Sequence, residues 1–459
     1  MTNSSKRGSV DKKGGVLMRK KSKYFWGSAI FFMLLGASQT AWAASPAVPA
    51  ISGGDTAWVL ISAALVFLMT PGLAFFYGGL VRRKNMLSIL MQCFMLICMV
   101  TLQWVLLGYS LAFGPDVKGL IGNLSWAGLQ GVSLDPFAAY SSTIPHQLFM
   151  IYQAMFAIIT PGLILGAFAE RMKFSAFCVF SILWATLVYD PVAHWMWGVG
   201  GFLRNMGALD FAGGVVVHIN AGIAALVCAL VLGKRKGYPQ HMSPPHNLPF
   251  AVLGAGLLWF GWFGFNGGSA LGANRIAVSA VVVSHIAGAA AGLTWALLEW
   301  KFNSKPTMLG MITGAVAGLA TITPAAGFVG PIAAIWIGII ASVVCYFCVA
   351  VVKAKSGYDD SLDAFGVHGV GGILGTLATG FWASKVVNPA GNNGLFYGNP
   401  GLFLIQLKAV VITIVYSFIV SWVLLKIVDA FMGLRVSEDE ERIGLDLTQH
   451  RESGYTMLD

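Results

Sequence analysis

Long apolar runs separated by short polar segments recur from Ala57 almost to the end of the chain. Eleven are long enough to cross a hydrocarbon core of ~30 Å: 57–79, 86–113, 146–169, 175–197, 214–232, 249–267, 277–299, 307–323, 331–352, 366–383 and 402–430. The pattern predicts an all-α polytopic membrane protein with eleven transmembrane helices. Lys and Arg gather in alternate loops, at Arg82-Arg83-Lys84, Arg171-Met172-Lys173, Lys234-Arg235-Lys236, Lys301 with Lys305, and Lys353 with Lys355. Cytoplasmic loops carry the excess of positive charge, so these loops are expected inside, with the mature N-terminus periplasmic and the C-terminal tail cytoplasmic. Many of the 56 glycines fall inside the spans, as at Gly366, Gly369, Gly371, Gly372 and Gly375. Such positions let helices pack backbone to backbone.

Composition excludes an ordinary soluble domain: only 10% of residues are charged and 57% are hydrophobic, against a usual charged share of about a quarter. The formal charge of +10 does not indicate nucleic acid, because residues 1–43 hold eight Lys/Arg against Asp11 alone, a local +7 that leaves +3. That segment runs from a basic stretch at Arg19-Lys20-Lys21-Ser22-Lys23 through an apolar run to Ala41-Trp42-Ala43. It reads as a signal peptide cleaved after Ala43, with an uncleaved first helix as the rival reading. Met18, just before the basic stretch, is the expected start. The six cysteines all lie in apolar runs, which favours neither a disulfide framework nor a metal site, and no cofactor is expected.

An internal echo divides the spans. Phe75-Phe76-Tyr77-Gly78-Gly79 closes the first and Gly264-Phe265-Asn266-Gly267-Gly268 the sixth, while Asp210 precedes His218 and Asp363 precedes His368, each histidine leading into a Gly/Ala-rich helix. Five spans per half give the halves opposite topology. This predicts a 5+5 inverted repeat, 57–232 and 249–383, plus a last helix at 402–430, within a transmembrane domain 44–432 followed by a tail 433–459. Ionisable groups inside a membrane are costly and mark function by default. His218 and His368, at related positions of such a repeat, are expected to meet at the pseudo-twofold axis and share a hydrogen bond, offering one donor and one acceptor to a small polar guest. A bis-histidine haem is the rival use of two such residues, but no cleft pattern accompanies them, and the chain lacks a His-Glu-x-x-His protease motif.

Several segments resemble the signatures of the ammonium transporter family, bacterial Amt type: Pro71-Gly72-Leu73-Ala74-Phe75-Phe76-Tyr77-Gly78-Gly79-Leu80, Gly166-Ala167-Phe168-Ala169-Glu170-Arg171, Gly207-Ala208-Leu209-Asp210-Phe211-Ala212-Gly213-Gly214, His218-Ile219-Asn220-Ala221, Gly261-Trp262-Phe263-Gly264-Phe265-Asn266 and Phe365-Gly366-Val367-His368-Gly369-Val370-Gly371-Gly372. The resemblance implies a homotrimer in the lipid bilayer of the inner membrane, each subunit with its own pore for ammonium or methylammonium, and no enzymatic activity. By it, His218 and His368 are the pore histidines, Phe156 and Phe265 the stacked gate, and Trp197 and Ser269 line an outer recruitment site with Phe156. Trp262 lines the pore, and Tyr152 is expected to bring an extra hydroxyl to the vestibule. For Trp197 and Trp262 an interfacial aromatic belt stays open as a second reading. Asp210 either stands beside the recruitment site or caps a helix beginning near Phe211.

This constellation suits a small cation, since aromatic faces attract ammonium and a hydroxyl accepts its proton. The expected path is recruitment outside, loss of the proton near Phe156, and passage as ammonia. The acidic stretch Gly433 to Asp446, with Arg435, Glu441 and Gly444, resembles the family's regulatory tail and implies a PII-type signalling protein as partner; a solvated tail is the plainer alternative. An ammonium sensor and a neutral gas channel are the competing functions.

Overall fold

The computed structural model describes residues 51–240 and 244–455. The leader expected at 1–43, Met18 included, lies outside these residues. In chain order the principal helices are α1 Gly53–Leu80, α2 Arg83–Phe113, α3 His146–Phe168, α4 Phe174–Asn205, α5 Gly214–Leu232, α6 Leu248–Gly268, α7 Arg275–Asn303, α8 Met308–Ile322, α9 Pro331–Ser356, α10 (Phe365–Gly369 continuing as Val370–Trp382) and α11 Pro400–Met432. Among the described residues nine of these are long and apolar enough to cross a membrane; α8, at the eighth expected span, is shorter, and α10, at the tenth, is not among the nine. One two-stranded hairpin, Asp116–Val117 with Ile121–Gly122, lies between α2 and α3.

Side chains at the helix starts satisfy amide N–H groups that have no partner within the helix. Ser52 accepts from Asp55 N, Asn274 from Ile276 N and Ala277 N, Thr307 from Gly310 N, and Asn399 from Gly401 N with Pro400 opening α11. Large apolar side chains such as Leu102, Val278, Ile332 and Phe431 point outward. In water that surface would be an aggregation liability; against acyl chains it meets its own kind of solvent.

The centre of the bundle is α3, buried along nearly its whole length, with α5 beside it. α1 and α6 cross so closely that a Cβ on Gly254 would lie 2.2 Å from Phe76 N and 2.5 Å from Gly72 O. Only glycine permits that approach.

The tail is docked rather than solvated. Leu434, Val436, Glu441, Leu445 and Asp446 are all buried. Lys173 N donates to Leu434 O (2.8 Å) and Val436 N to Arg171 O (3.0 Å). Two short helices follow, α12 Glu438–Ile443, opened by a reciprocal Ser437–Glu440 cap, and α13 Leu445–His450.

Candidate functional site

α5 and α10 both begin deep in the bundle with one wide, π-type turn, and each needs a partner for its leading amides. Asp210 supplies it for α5: Oδ1 accepts from Gly213 N (2.8 Å) and Gly214 N (2.6 Å), and Oδ2 from Val215 N (2.8 Å) and Val216 N (3.1 Å). Its carboxylate is therefore a helix cap, and the helix starts at Gly214 rather than near Phe211. The equivalent residue in the second half is Asp360, not Asp363 as the sequence echo indicated. Asp360 accepts from Ala364 N (3.1 Å) and Phe365 N (2.8 Å), and it precedes His368 by the same eight residues that separate Asp210 from His218. Asp363 instead receives Lys353 Nζ at 2.5 Å. Burial, then the neighbouring Asp363 charge, pushes the Asp360 carboxyl up to about 6.

The two half-helices cross reciprocally. Gly222 stands four residues after His218 and Gly372 four after His368. A Cβ on Gly222 would lie 2.1 Å from Gly369 N, and one on Gly372 2.8 Å from Ile219 N, so each glycine rests on the amide that follows the other half's histidine. This contact brings the imidazoles together, with centroids 5.4 Å apart and planes within 11°. No hydrogen bond joins them: both ring nitrogens of His218 and Nδ1 of His368 lack a partner among the described residues. Unpartnered buried polar atoms are rare and call for an explanation.

One cavity holds this pair and two others lie near it. The central neck is tiny, about 10 Å³, and is lined by His218, His368, Trp262 and Phe265 among apolar side chains. It has room for one water-sized molecule at most. On the face opposite the tail a cavity of about 220 Å³ is lined by Phe149, Gln153, Phe156, Trp197, Arg204 and Ser269, among others. Phe156 of that cavity and Phe265 of the neck are 4.4 Å apart between centroids, with their planes tilted by 45° rather than stacked. Toward the tail a cavity of about 270 Å³ includes His368, Tyr77, Arg235, Glu299 and Asp363 in its lining.

Further contacts fix the aromatic side. Trp197 Nε1 donates to Asp210 O (2.8 Å), so the carboxylate and carbonyl of one residue organise both a helix start and a cavity wall. Ser269 Oγ donates to Phe265 O (2.9 Å) and keeps at least one lone pair free. Tyr152 departs from expectation: its hydroxyl is turned to the Gly264 and Phe265 carbonyls (2.9 and 3.0 Å) and to Ser269 Oγ (3.2 Å), and it does not line the cavity. A carbonyl near the end of α6 has two lone pairs and can accept a second hydrogen bond, and a buried phenol must find an acceptor. Trp262, only 2% exposed, donates to Thr323 Oγ1 (3.0 Å) and lies 5.8 Å from His218, so it is no interfacial residue.

On the tail face Glu170 accepts from Arg82 N (2.7 Å), Arg82 Nε (3.0 Å) and Asn85 Nδ2 (3.0 Å), while Arg235 pairs with Glu170 and with Asp359 at 2.8 Å. Burial alone would raise Glu170, but the Arg82 and Arg235 charges hold it below the usual carboxylate range. The tail residues join this surface: Glu441 accepts from Arg435 Nη2 (2.8 Å) and Lys236 N (2.7 Å), and Asp446 from Ser88 N (2.8 Å). Gly433 and Gly444 have φ of +69° and +114°, and Gly444 lies against Lys84.

A family profile, the Ammonium Transporter Family, matches residues 57–455. The chain belongs to that family. It is 56% identical over 402 residues to an ammonium transporter of Bacillus subtilis, covering 88% of this chain and 98% of that one. The solved structure of Saccharomyces cerevisiae Mep2 superposes with a TM-score of 0.80 at 36% identity, covering 85% of this chain and 88% of the other. A solved sensor Amt protein gives the same TM-score at 29% identity, covering 86% and 98%. Membership of the ammonium transporter family and the likeness to Mep2 support ammonium transport. Within this family member, sequence reasoning missed Asp360, although the eight-residue spacing from Asp210 to His218 was available to find it. It also missed Phe149, Gln153 and Arg204, because nothing in an apolar run or a loop says which face meets a cavity.

Proposed function

We propose that the protein moves ammonium across the bacterial inner membrane by recruiting the cation in the aromatic cavity, deprotonating it near Phe156, and passing it as ammonia between His218 and His368. The observation that carries this reading is the pair of buried imidazoles with unpartnered nitrogens on a neck that holds one small molecule. An intact cation in such an apolar neck pays a desolvation penalty of several kcal/mol even after relaxation. Removing a proton from an amine whose pKa lies about three units above neutrality costs roughly 4 kcal/mol. Deprotonation is thus competitive, and neutral imidazoles then exchange one hydrogen bond each with the guest. Phe156, Trp197 and Ser269 bind the cation by ring faces and a lone pair, Phe265 gates with Phe156, Trp262 walls the neck, and Asp210 holds the half-helix in place. The proton travels separately by water and imidazole, which makes net movement electrogenic.

In this reading all eleven helices cross the membrane, as two inverted halves plus α11, the aromatic cavity is periplasmic, and the chain assembles as a homotrimer. The tail, with Gly433, Arg435, Glu441, Gly444 and Asp446 ordering it against the inner loops, offers the cytoplasmic face to a PII-type signalling protein. Ammonium-evoked current in proteoliposomes, with potassium as competitor, tests the mechanism. His218→Ala with His368→Ala is expected to abolish the selective current; an undiminished one overturns the relay. Deleting residues 433–459 is expected to abolish co-purification with a PII-type protein, and unchanged binding removes the tail from that role.

A further inference from the structure

The aromatic cavity carries a group opposed to cation recruitment. Arg204 lines it together with Phe156, Trp197 and Ser269. Arg204 is exposed, and among the described residues it forms no ion pair. Its Nη1 donates to Trp197 O at 2.6 Å, which anchors the guanidinium beside the site. It also acts on Tyr140: burial pushes that phenol up to about 12, and the Arg204 charge opposes the rise. Two acids of this region are already engaged, Asp116 by His194 (2.8 Å) and Gly119 N (2.8 Å), and Asp210 by four amides. A guanidinium stays protonated at any working pH, and a cleft with apolar walls focuses its field.

We propose that Arg204 is an affinity-setting residue, a fixed positive charge that weakens recruitment of ammonium and methylammonium and so raises the external concentration at which transport half-saturates. It repels all monovalent cations alike, so it sets affinity without altering the preference for ammonium over potassium. This inference rests on the reading of the aromatic cavity as the recruitment site.

The test is methylammonium uptake in proteoliposomes by wild type, R204K, R204Q and R204E, each at low and high concentrations of an impermeant salt. Neutralisation is expected to lower KM about threefold and charge reversal about tenfold, the range expected for like charges roughly 6 Å apart at the water-like dielectric of about 80 that an exposed side chain meets. R204K should keep the wild-type KM, which separates the charge from the hydrogen bond to Trp197. Added salt should lower the wild-type KM by screening and leave R204Q unchanged; a purely structural role would show no such salt dependence. W197L and S269A serve as reference variants. If they raise KM while R204Q and R204E leave it unchanged or raise it, the charge has no role and the inference is overturned. If W197L and S269A also leave KM unchanged, the recruitment reading itself fails and takes the inference with it.

Discussion

The cavities on either side of the histidine pair are built from different materials. Opposite the tail, rings, a hydroxyl and the Gln153 amide form most of the wall and Arg204 adds a charge, with Phe156 4.4 Å from Phe265 of the neck and Trp197 held by a backbone carbonyl. Toward the tail the lining carries Glu299, Asp363 and Arg235, backed by Glu170, Asp359 and Lys353. The half-helix starts follow the same division: Asp210 holds four amides with no charged side chain among the described residues bonded to it, whereas Asp360 holds two beside Asp363 and Lys353. Reciprocal backbone contacts make the centre alike in both halves, and local side chains then make the two ends unlike. The tail face should therefore respond to pH, and the aromatic face should not.

The largest expected effect breaks the charged side. Glu170→Gln leaves Arg235 and Arg82 without the buried carboxylate that binds both, and should cost roughly 3–5 kcal/mol of stability at pH 7, read as thermal unfolding in detergent. The sign with pH follows from the lowered Glu170 value: its contribution is full above about 4.5 and is lost as pH falls through the lower folded value. The variant should lack that acid limb; a variant as acid-sensitive as wild type would detach Glu170 from the network's stability.

Next comes the contrast between the two caps. Asp210→Ala exposes four buried amides and Asp360→Ala two. Losses of roughly 2–3 and about 1 kcal/mol are expected, given about 1 kcal/mol or more for an unsatisfied buried group partly relieved by relaxation. Equal losses would show that the two starts are supported alike.

The shared centre should yield to a methyl group. Gly222→Ala sets a Cβ 2.1 Å from a backbone nitrogen and Gly372→Ala one at 2.8 Å. The first should cost about 1–3 kcal/mol by overpacking and lower ammonium current more than the second. Indifference to both would separate the helix crossing from conduction. Smallest is Tyr152→Phe, which removes a hydroxyl turned to α6 carbonyls rather than to the cavity. A stability loss of about 1 kcal/mol with KM changed less than about twofold is expected; a larger KM change would bring that hydroxyl into recruitment.

The sequence alone determined the spans, because membrane crossing is a matter of local apolar length, and the nine long helices lie on the runs that predicted them. It also singled out His218 and His368, since an ionisable group in an apolar run stands out wherever it is folded. Tertiary structure decided what those groups meet. The partner of Asp210 in the second half, the inward turn of Tyr152, the missing hydrogen bond between the imidazoles and the place of Arg204 on a cavity wall all depend on which backbones touch. Contacts such as Gly222 on Gly369 join residues far apart in the chain, and their geometry is set by packing, which no local pattern of polar and apolar residues encodes.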